Sequence, residues 1–380
     1  MTGVTYEGQM QWQGRLLGIV AATLVVFGVA AVYGASSIVA VQRGDPGSWF
    51  AMRQLQGAIV GVVLLLVGAR VDYHVWQRFA WPLLGGIALV LLLMLMPFAR
   101  PIAPELNGAR RWLQVGPVGL QPSEVAKFAV IAWTAMLATK KGDDLRNLRR
   151  GILPFLVVVV PVTAFIVFEP DLSTGVLVML LAGVVLFTAG ARIGHFLLLG
   201  LAALPIAWHE IVSVQYRLAR MVSFLSRGDE TADASWQITQ SLIGIGAGGL
   251  VGTGFGEGLQ KLGYLPYAYS DFIFSTIGEE WGFVGVTVIL LLYTVYAGLG
   301  LHVARTAPDR FGMLLAAGLT AMVAVTALLH VAVTLDIVPT TGLPLPFISY
   351  GRTSLLVSLF STGVLINIAD SRGLPRRGTR

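Results

Sequence analysis

The sequence has no cysteine and little charge. Of its 380 residues, 12% are Asp, Glu, Lys or Arg, while 56% are hydrophobic. Without cysteine, neither a disulfide framework nor a thiolate metal site can form. Soluble domains carry about 25% charged residues, so this composition excludes an ordinary water-soluble globule. It points to an all-α, polytopic integral membrane protein. Other features are missing too. There is no P-loop. Gly244, Gly246 and Gly249 match a dinucleotide fingerprint, but no strand precedes them and no βαβ unit surrounds them, which argues against a nucleotide site. The five histidines are scattered and show no metal spacing. No repeat of solenoid period and no clear inverted repeat is present, which argues against a typical secondary transporter.

What is present is a series of apolar runs. A helical span needs about 20 apolar residues. Ten segments qualify: 16–41, 55–69 (extendable at its start), 79–98, 123–139, 152–168, 172–189, 193–208, 271–299, 311–338 and 347–369. Ser123, after Pro122, is read as a helix cap. Residues 1–13 are polar and the first run is long enough to span, so it reads as a retained anchor. Ten spans put both termini on one side. That side then holds 15 of the 26 Lys/Arg but only 6 of the 20 Asp/Glu. The positive-inside rule makes it cytoplasmic. The net charge of +6 is thus a matter of topology rather than of a nucleic-acid partner. The chain reads as one integral domain, 1–380, with one long outer loop, 209–270, between helices 7 and 8. That loop holds a basic patch (Arg217, Arg220, Arg227), an acidic stretch (Asp229, Glu230, Asp233) and the glycine-rich run.

Candidate chemistry gathers on the outer side. Asp271 stands where the long loop becomes the eighth helix. It is either a helix-start carboxylate favoured by the macrodipole or a general base, with holding a divalent ion as a further role. Glu279 and Glu280 follow in the same helix; carboxylates there need intramembrane partners. Lys127 lies at i+3 from Glu124, so the two are either a structural pair or a cation lining an anionic substrate's path. Asp171, in Glu169-Pro170-Asp171, is a helix start or a further outer-site carboxylate. Arg110 and Arg111 beside Trp112, and Arg217 with Arg220, are snorkelling residues or guanidinium forks for phosphate. Lys261 belongs to the basic, aromatic segment with Tyr264, Tyr267 and Tyr269. His330, inside the ninth helix, is either a hydrogen-bonded packing residue or one that lines the cavity.

These stretches resemble the SEDS family (shape, elongation, division and sporulation). The resemblance runs from Tyr33-Gly-Ala-Ser36 and Arg53-Gln54 to the last helix. Its strongest stretches are Gly108-Ala-Arg-Arg-Trp112, Gln121-Pro-Ser-Glu124 with Lys127, Pro170-Asp-Leu-Ser-Thr174, Gln260-Lys-Leu-Gly-Tyr-Leu-Pro266, Asp271-Phe-Ile-Phe274 with Gly278-Glu-Glu280, and Thr341 to Gly351. The glycine-rich loop and the Gln-Lys-Leu-Gly-Tyr run look closer to the division branch than to the elongation branch.

The resemblance implies ten helices in the bacterial cytoplasmic membrane and an inverting peptidoglycan glycosyltransferase. It polymerises lipid II onto an undecaprenyl-pyrophosphate-linked glycan, beside a class B penicillin-binding protein transpeptidase and membrane lipids. Asp271 matches the family's essential aspartate. Arg110, Lys127, Glu124 and Asp171 match polar cavity or loop positions, and Arg217 and Lys261 are added as substrate-binding candidates. A divalent cation, Mg or Mn, is the expected cofactor, with no organic one. The alternatives are the elongation polymerase and a lipid II flippase. Three departures from the family pattern stand out. Tyr267 and Tyr269 replace a glutamate and a histidine, Arg352 replaces a glycine, and His330 replaces an asparagine.

Overall fold

The computed structural model describes residues 7–105, 109–115, 118–225 and 233–371. Arg227, Asp229, Glu230 and the basic tail from 372 lie outside the described residues. The described residues are mostly helical: α1 (Glu7–Gln42), α2 (Trp49–Arg70), α3 (His74–Arg78), α4 (Ala80–Leu95), α5 (Pro122–Lys141), α6 (Leu153–Phe168), α7 (Leu172–Thr188), α8 (Ile193–Val212), α9 (Gln215–Leu225), α10 (Asp233–Ala247), α11 (Ile273–Arg305), α12 (Arg310–Thr334) and α13 (Arg352–Asp370). A two-stranded antiparallel hairpin, β1 (Leu113–Val115) with β2 (Val118–Leu120), pairs Leu113 with Leu120. Among the described residues, seven helices are long and apolar enough to cross a membrane, and α4 and α7 are shorter apolar helices. The protein is therefore an all-α, polytopic membrane protein.

Local chemistry explains the elements. Helix α5 starts at Pro122, whose missing N–H costs nothing at that position. Glu124 in its first turn and Lys140 and Lys141 in its last suit the helix dipole. Ser123 is not the cap: Gln121 holds that position without a side-chain hydrogen bond, and Ser123 is buried inside the first turn. The long loop is also not irregular throughout, since α9 and α10 occupy much of it. Helices α2 and α13 run side by side. A Cβ at Gly61 would overlap Leu359, and one at Gly363 would overlap the Leu65 carbonyl. Glycine at these points lets two backbones approach closely, which is how membrane helices gain packing energy.

The glycine-rich run has a structural task. Helix α11 breaks at Gly282, where φ is 62°. The break frees backbone groups that lipid cannot satisfy. The loop satisfies them: Thr253 N–H donates to the Glu279 carbonyl (2.9 Å) and Gly254 N–H to the Glu280 carbonyl (3.1 Å). In return, Phe283 N–H donates to Gly249 O (2.9 Å) and Val284 N–H to Leu250 O (3.1 Å). A side chain at Gly248 or Gly252 would strike the α11 backbone. Glu279 accepts from Leu259 N–H (2.7 Å) and Gln260 N–H (3.3 Å), and Glu280 pairs with Lys261 at 3.1 Å. So both carboxylates do have partners, and the glycine-rich loop supplies them.

Cross-contacts define two ends of the bundle. At one, Tyr73 donates through its hydroxyl to Asp309 and through its N–H to Asn367 (3.0 Å), and Arg310 donates to Ala189 O (2.9 Å). At the other end lies Asp271.

Candidate functional site

Asp271 closes a tight turn. Tyr267 has φ 57°, and its carbonyl accepts the N–H groups of Ser270 (3.0 Å) and Asp271 (3.1 Å). A tyrosine in the left-handed region costs about 1–3 kcal/mol, and such strain clusters at functional sites. Helix α11 starts only at Ile273, with Phe272 at its cap. Asp271 is therefore not the first residue of that helix, as the sequence pattern implies, but stands two residues before it. The turn is clamped from the segment that leads into α13. Ser349 Oγ donates to Ser270 O (2.7 Å) and Tyr350 N–H to Tyr269 O (3.0 Å). Gly342 lies alongside, where a Cβ would sit 3.6 Å from Asp271 Oδ2.

The charges around Asp271 come from three separate segments. Burial pushes its carboxyl up to about 6, against the pull of Arg220, Ser270 and Arg111, while Asp171 pushes it further up. Arg220, on α9, donates to Thr340 O at 3.4 Å. Arg111 is fixed by the Glu169 carbonyl (3.2 Å) and the Pro170 carbonyl. Asp171 caps α7 by accepting from Thr174 N–H (3.2 Å) and also accepts from Gln121 Nε2 (3.3 Å). Glu169 is buried, and neither carboxylate oxygen has a hydrogen-bond partner among the described residues. Burial, and next the negative charge of Asp171, push its carboxyl up to about 8, with Arg111 opposing. At neutral pH it therefore carries mostly its proton.

The other candidates are placed as follows. Lys127 and Glu124 pair with each other at 2.7 Å, both buried. Arg217 pairs with Glu210 at 2.8 Å and reaches Val167 O. Arg110 faces Glu105 at 3.7 Å. The buried Lys261 bridges Glu280 and the Gly256 carbonyl, so its charge holds the loop to α11 rather than facing an open site. Of the two arginine pairs, Arg111 and Arg220 act on Asp271. Neighbours in an extended segment point to opposite faces, and sequence alone does not say which face is inward. His330 Nδ1 meets Leu343 O at 2.8 Å, in keeping with a packing residue.

No group of three or more His, Asp or Glu is placed to hold a metal ion among the described residues. With two guanidinium groups nearby, the surroundings of Asp271 suit an anion better than a cation. Beside α5 runs an apolar cavity of about 300 Å³, lined by Leu64, Leu83, Val125, Phe128, Thr353 and Phe360 among others.

Comparison with known proteins places this geometry. A family model for FtsW, RodA and SpoVE, described as "Cell cycle protein", matches residues 14–373. A probable peptidoglycan glycosyltransferase FtsW from Trichlorobacter lovleyi is 41% identical over 93% of this chain and 92% of its own. Stage V sporulation protein E of Bacillus subtilis is 38% identical over 93% and 96%. Among solved structures, one chain belongs to a peptidoglycan synthase complex described for coordinating polymerization and crosslinking. It superposes with a TM-score of 0.77 at 26% identity, covering 98% of this chain and all of its own. The rod shape determining protein RodA of Thermus thermophilus gives 0.69 at 27%, covering 94% and 97%.

Proposed function

The chain belongs to the FtsW, RodA and SpoVE family of cell cycle proteins, and we propose that it is a peptidoglycan glycosyltransferase of cell division, joining lipid II units into glycan strands. Ten helices cross the cytoplasmic membrane in this reading: the seven long apolar ones, the shorter α4 and α7, and α5. Both termini are cytoplasmic and Asp271 faces outward, because the basic excess lies at the opposite end.

The observation that carries the proposal is Asp271 itself, a half-buried carboxylate outside the spanning helices with Arg111 and Arg220 beside it. A base works best when its pKa lies near the working pH, and about 6 is closer to it than an ordinary aspartate. The acceptor sugar's 4-hydroxyl attacks the anomeric carbon of the strand held on undecaprenyl pyrophosphate. Its proton passes to Asp271. The bond from the anomeric carbon to the diphosphate oxygen breaks with inversion, and the electron pair leaves on the diphosphate. Arg111 and Arg220 offset that charge. No set of described residues is placed to cage a divalent cation; Mg or Mn would, when bound, supply further neutralisation of the leaving diphosphate. The apolar cavity beside α5 takes the head-proximal part of the polyprenyl tail. A class B penicillin-binding protein is the proposed partner in crosslinking.

The flippase reading needs charges lining an open route across the bilayer. Lys127 with Glu124 and Lys261 with Glu280 are instead closed upon each other. The test is a reconstituted chain given labelled lipid II, with and without the transpeptidase. Wild type should yield polymer and Asp271→Ala none. Polymer at wild-type yield from a folded Asp271→Ala protein would remove the catalytic assignment.

A further inference from the structure

We propose that the turn joining α5 to α6 seats the headgroup of an anionic phospholipid, with Lys141, Arg149 and Arg150 on its phosphate and one face of α6 along its acyl chains. Residues 140–150 carry five cations (Lys140, Lys141, Arg146, Arg149 and Arg150) and two carboxylates (Asp143 and Asp144). None of the seven makes an ion pair among the described residues. Like charges held together repel, so a fold that gathers them leaves a counter-charge to be supplied from outside the chain.

The turn that gathers them is tightly built. Lys141 ends α5, and its Nζ donates to the Arg150 carbonyl at 2.8 Å, tying the end of one helix to the approach of the next. An ammonium has three donors, so two remain for a ligand. Asn147 Oδ1 accepts the N–H groups of Arg149 (3.0 Å) and Arg150 (3.3 Å) and fixes the backbone that carries both arginines. Gly151 packs so closely on the preceding turn that a Cβ there would overlap the Asp144 carbonyl. Leu145 and Ile152 are buried and pin the segment to the bundle, while Lys140, Arg149 and Arg150 stay exposed.

What lies next to the cations identifies the occupant. Residues Leu148–Phe168 form one helical length apolar enough to cross a membrane, so Arg149 and Arg150 stand in its first turn, at headgroup depth. One turn further on, Leu153, Val157 and Val160 are exposed. Their spacing of i, i+4 and i+7 puts them on one face of α6. An acidic protein segment would match the charges and leave that apolar stripe uncovered. A phospholipid matches both, with its phosphate at the arginines and its chains down the stripe. A guanidinium fork suits phosphate oxygens, and anionic leaflets attract cations held at this depth. Helix α6 runs from this turn to Glu169 at the Asp271 end of the bundle, so the seat lies at the opposite end from the sugar chemistry and does not depend on it.

The test titrates phosphatidylglycerol into the full chain in neutral detergent micelles and counts bound lipid by native mass spectrometry, with phosphatidylcholine as the uncharged comparison. Phosphatidylglycerol should be retained in preference to phosphatidylcholine. Arg149→Gln and Arg150→Gln should each weaken its binding about fivefold, and the double variant about thirtyfold. Arg78→Gln with Arg305→Gln removes the same charge from the same end of the bundle and should change binding by less than about twofold. Glycerol 3-phosphate, which lacks the chains, should not compete. Asp271→Ala should bind the lipid as wild type does. Wild-type affinity in the Arg149, Arg150 double variant, with its melting temperature retained, overturns the seat. So does an equal loss in the Arg78, Arg305 pair, which would mean a general attraction to the basic end. Displacement of the lipid by a poly-glutamate peptide would make the turn a protein-docking surface instead. If the double Gln variant fails to fold, Arg149→Lys with Arg150→Lys decides: affinity within about threefold of wild type is expected, and a loss larger than that of either single Gln variant overturns the assignment.

Discussion

Helices α5 and α8 have the same length and opposite characters. Of the 20 residues of α5, 15 are buried, including Glu124, Lys127, Trp133 and Thr134; α8 buries none of its 20. Yet α8 is apolar enough to count as a membrane span by composition and α5 is not. Hydropathy reports what surrounds a helix, not how central it is. A helix sheathed by protein can carry an ion pair because its neighbours exclude lipid from the charges. A helix facing lipid or a partner chain on all sides cannot. The helix with the weaker membrane signal is thus the one the bundle is packed around.

The largest effect expected from this contrast is at the buried pair. Lys127→Ala leaves Glu124 buried and alone, and should cost about 3–5 kcal/mol, read as lost folded protein or a lower melting temperature in detergent. Lys127→Met combined with Glu124→Gln should recover most of that. A Lys127→Ala protein as stable as wild type would mean the pair is not closed.

Truncation of apolar groups sharpens the same comparison. Phe128→Ala on α5 should cost on the order of 2 kcal/mol or more through its cavity. Leu201→Ala, on the exposed face of α8, should change stability by less than about 0.5 kcal/mol. Equal losses in the two would break the comparison.

The smallest effects carry it to the site. The charges acting on Asp271 come from α9, from the segment before β1 and from the cap of α7, and none from α8. Because the base must be ionised, kcat/KM should fall as pH drops through about 6. Arg220 holds that carboxyl down, so Arg220→Gln should move the acid limb to higher pH. Asp171 pushes it up, so Asp171→Asn, which can still cap α7, should move the limb to lower pH. Each shift should be about half a unit to one unit. Shifts in one direction for both would contradict the electrostatic assignment.

Much of this was legible in the sequence. Long apolar runs show the apolar helices, and the Pro122-Ser123 pair places the start of α5 to within a residue, although the cap is Gln121 and not Ser123. The spacing of Glu124 and Lys127 puts both on one helix face, which allows a pair or a cation lining a path; the packed bundle closes them into a pair. Other features depend on contacts distant in sequence. That Lys261 turns to Glu280 follows from the break at Gly282, which a run of helix-forming residues conceals. The choice of Arg111 over Arg110 depends on where the Glu169 and Pro170 carbonyls lie. The late start of α11 follows from the turn at Tyr267, where a tyrosine gives no warning of a positive φ. Glu169 is visible only as part of a Glu-Pro-Asp link; that its carboxylate finds no hydrogen-bond partner among the described residues is a property of the packed bundle.

The account turns on one carboxylate, and the direct measurement is the single-turnover rate of glycan bond formation by Asp271→Asn with lipid II bound at saturation. The amide keeps the shape and cannot take a proton. The account predicts a rate about 10²–10⁴-fold below wild type with lipid II affinity within a few-fold. A rate within a few-fold of wild type would contradict it.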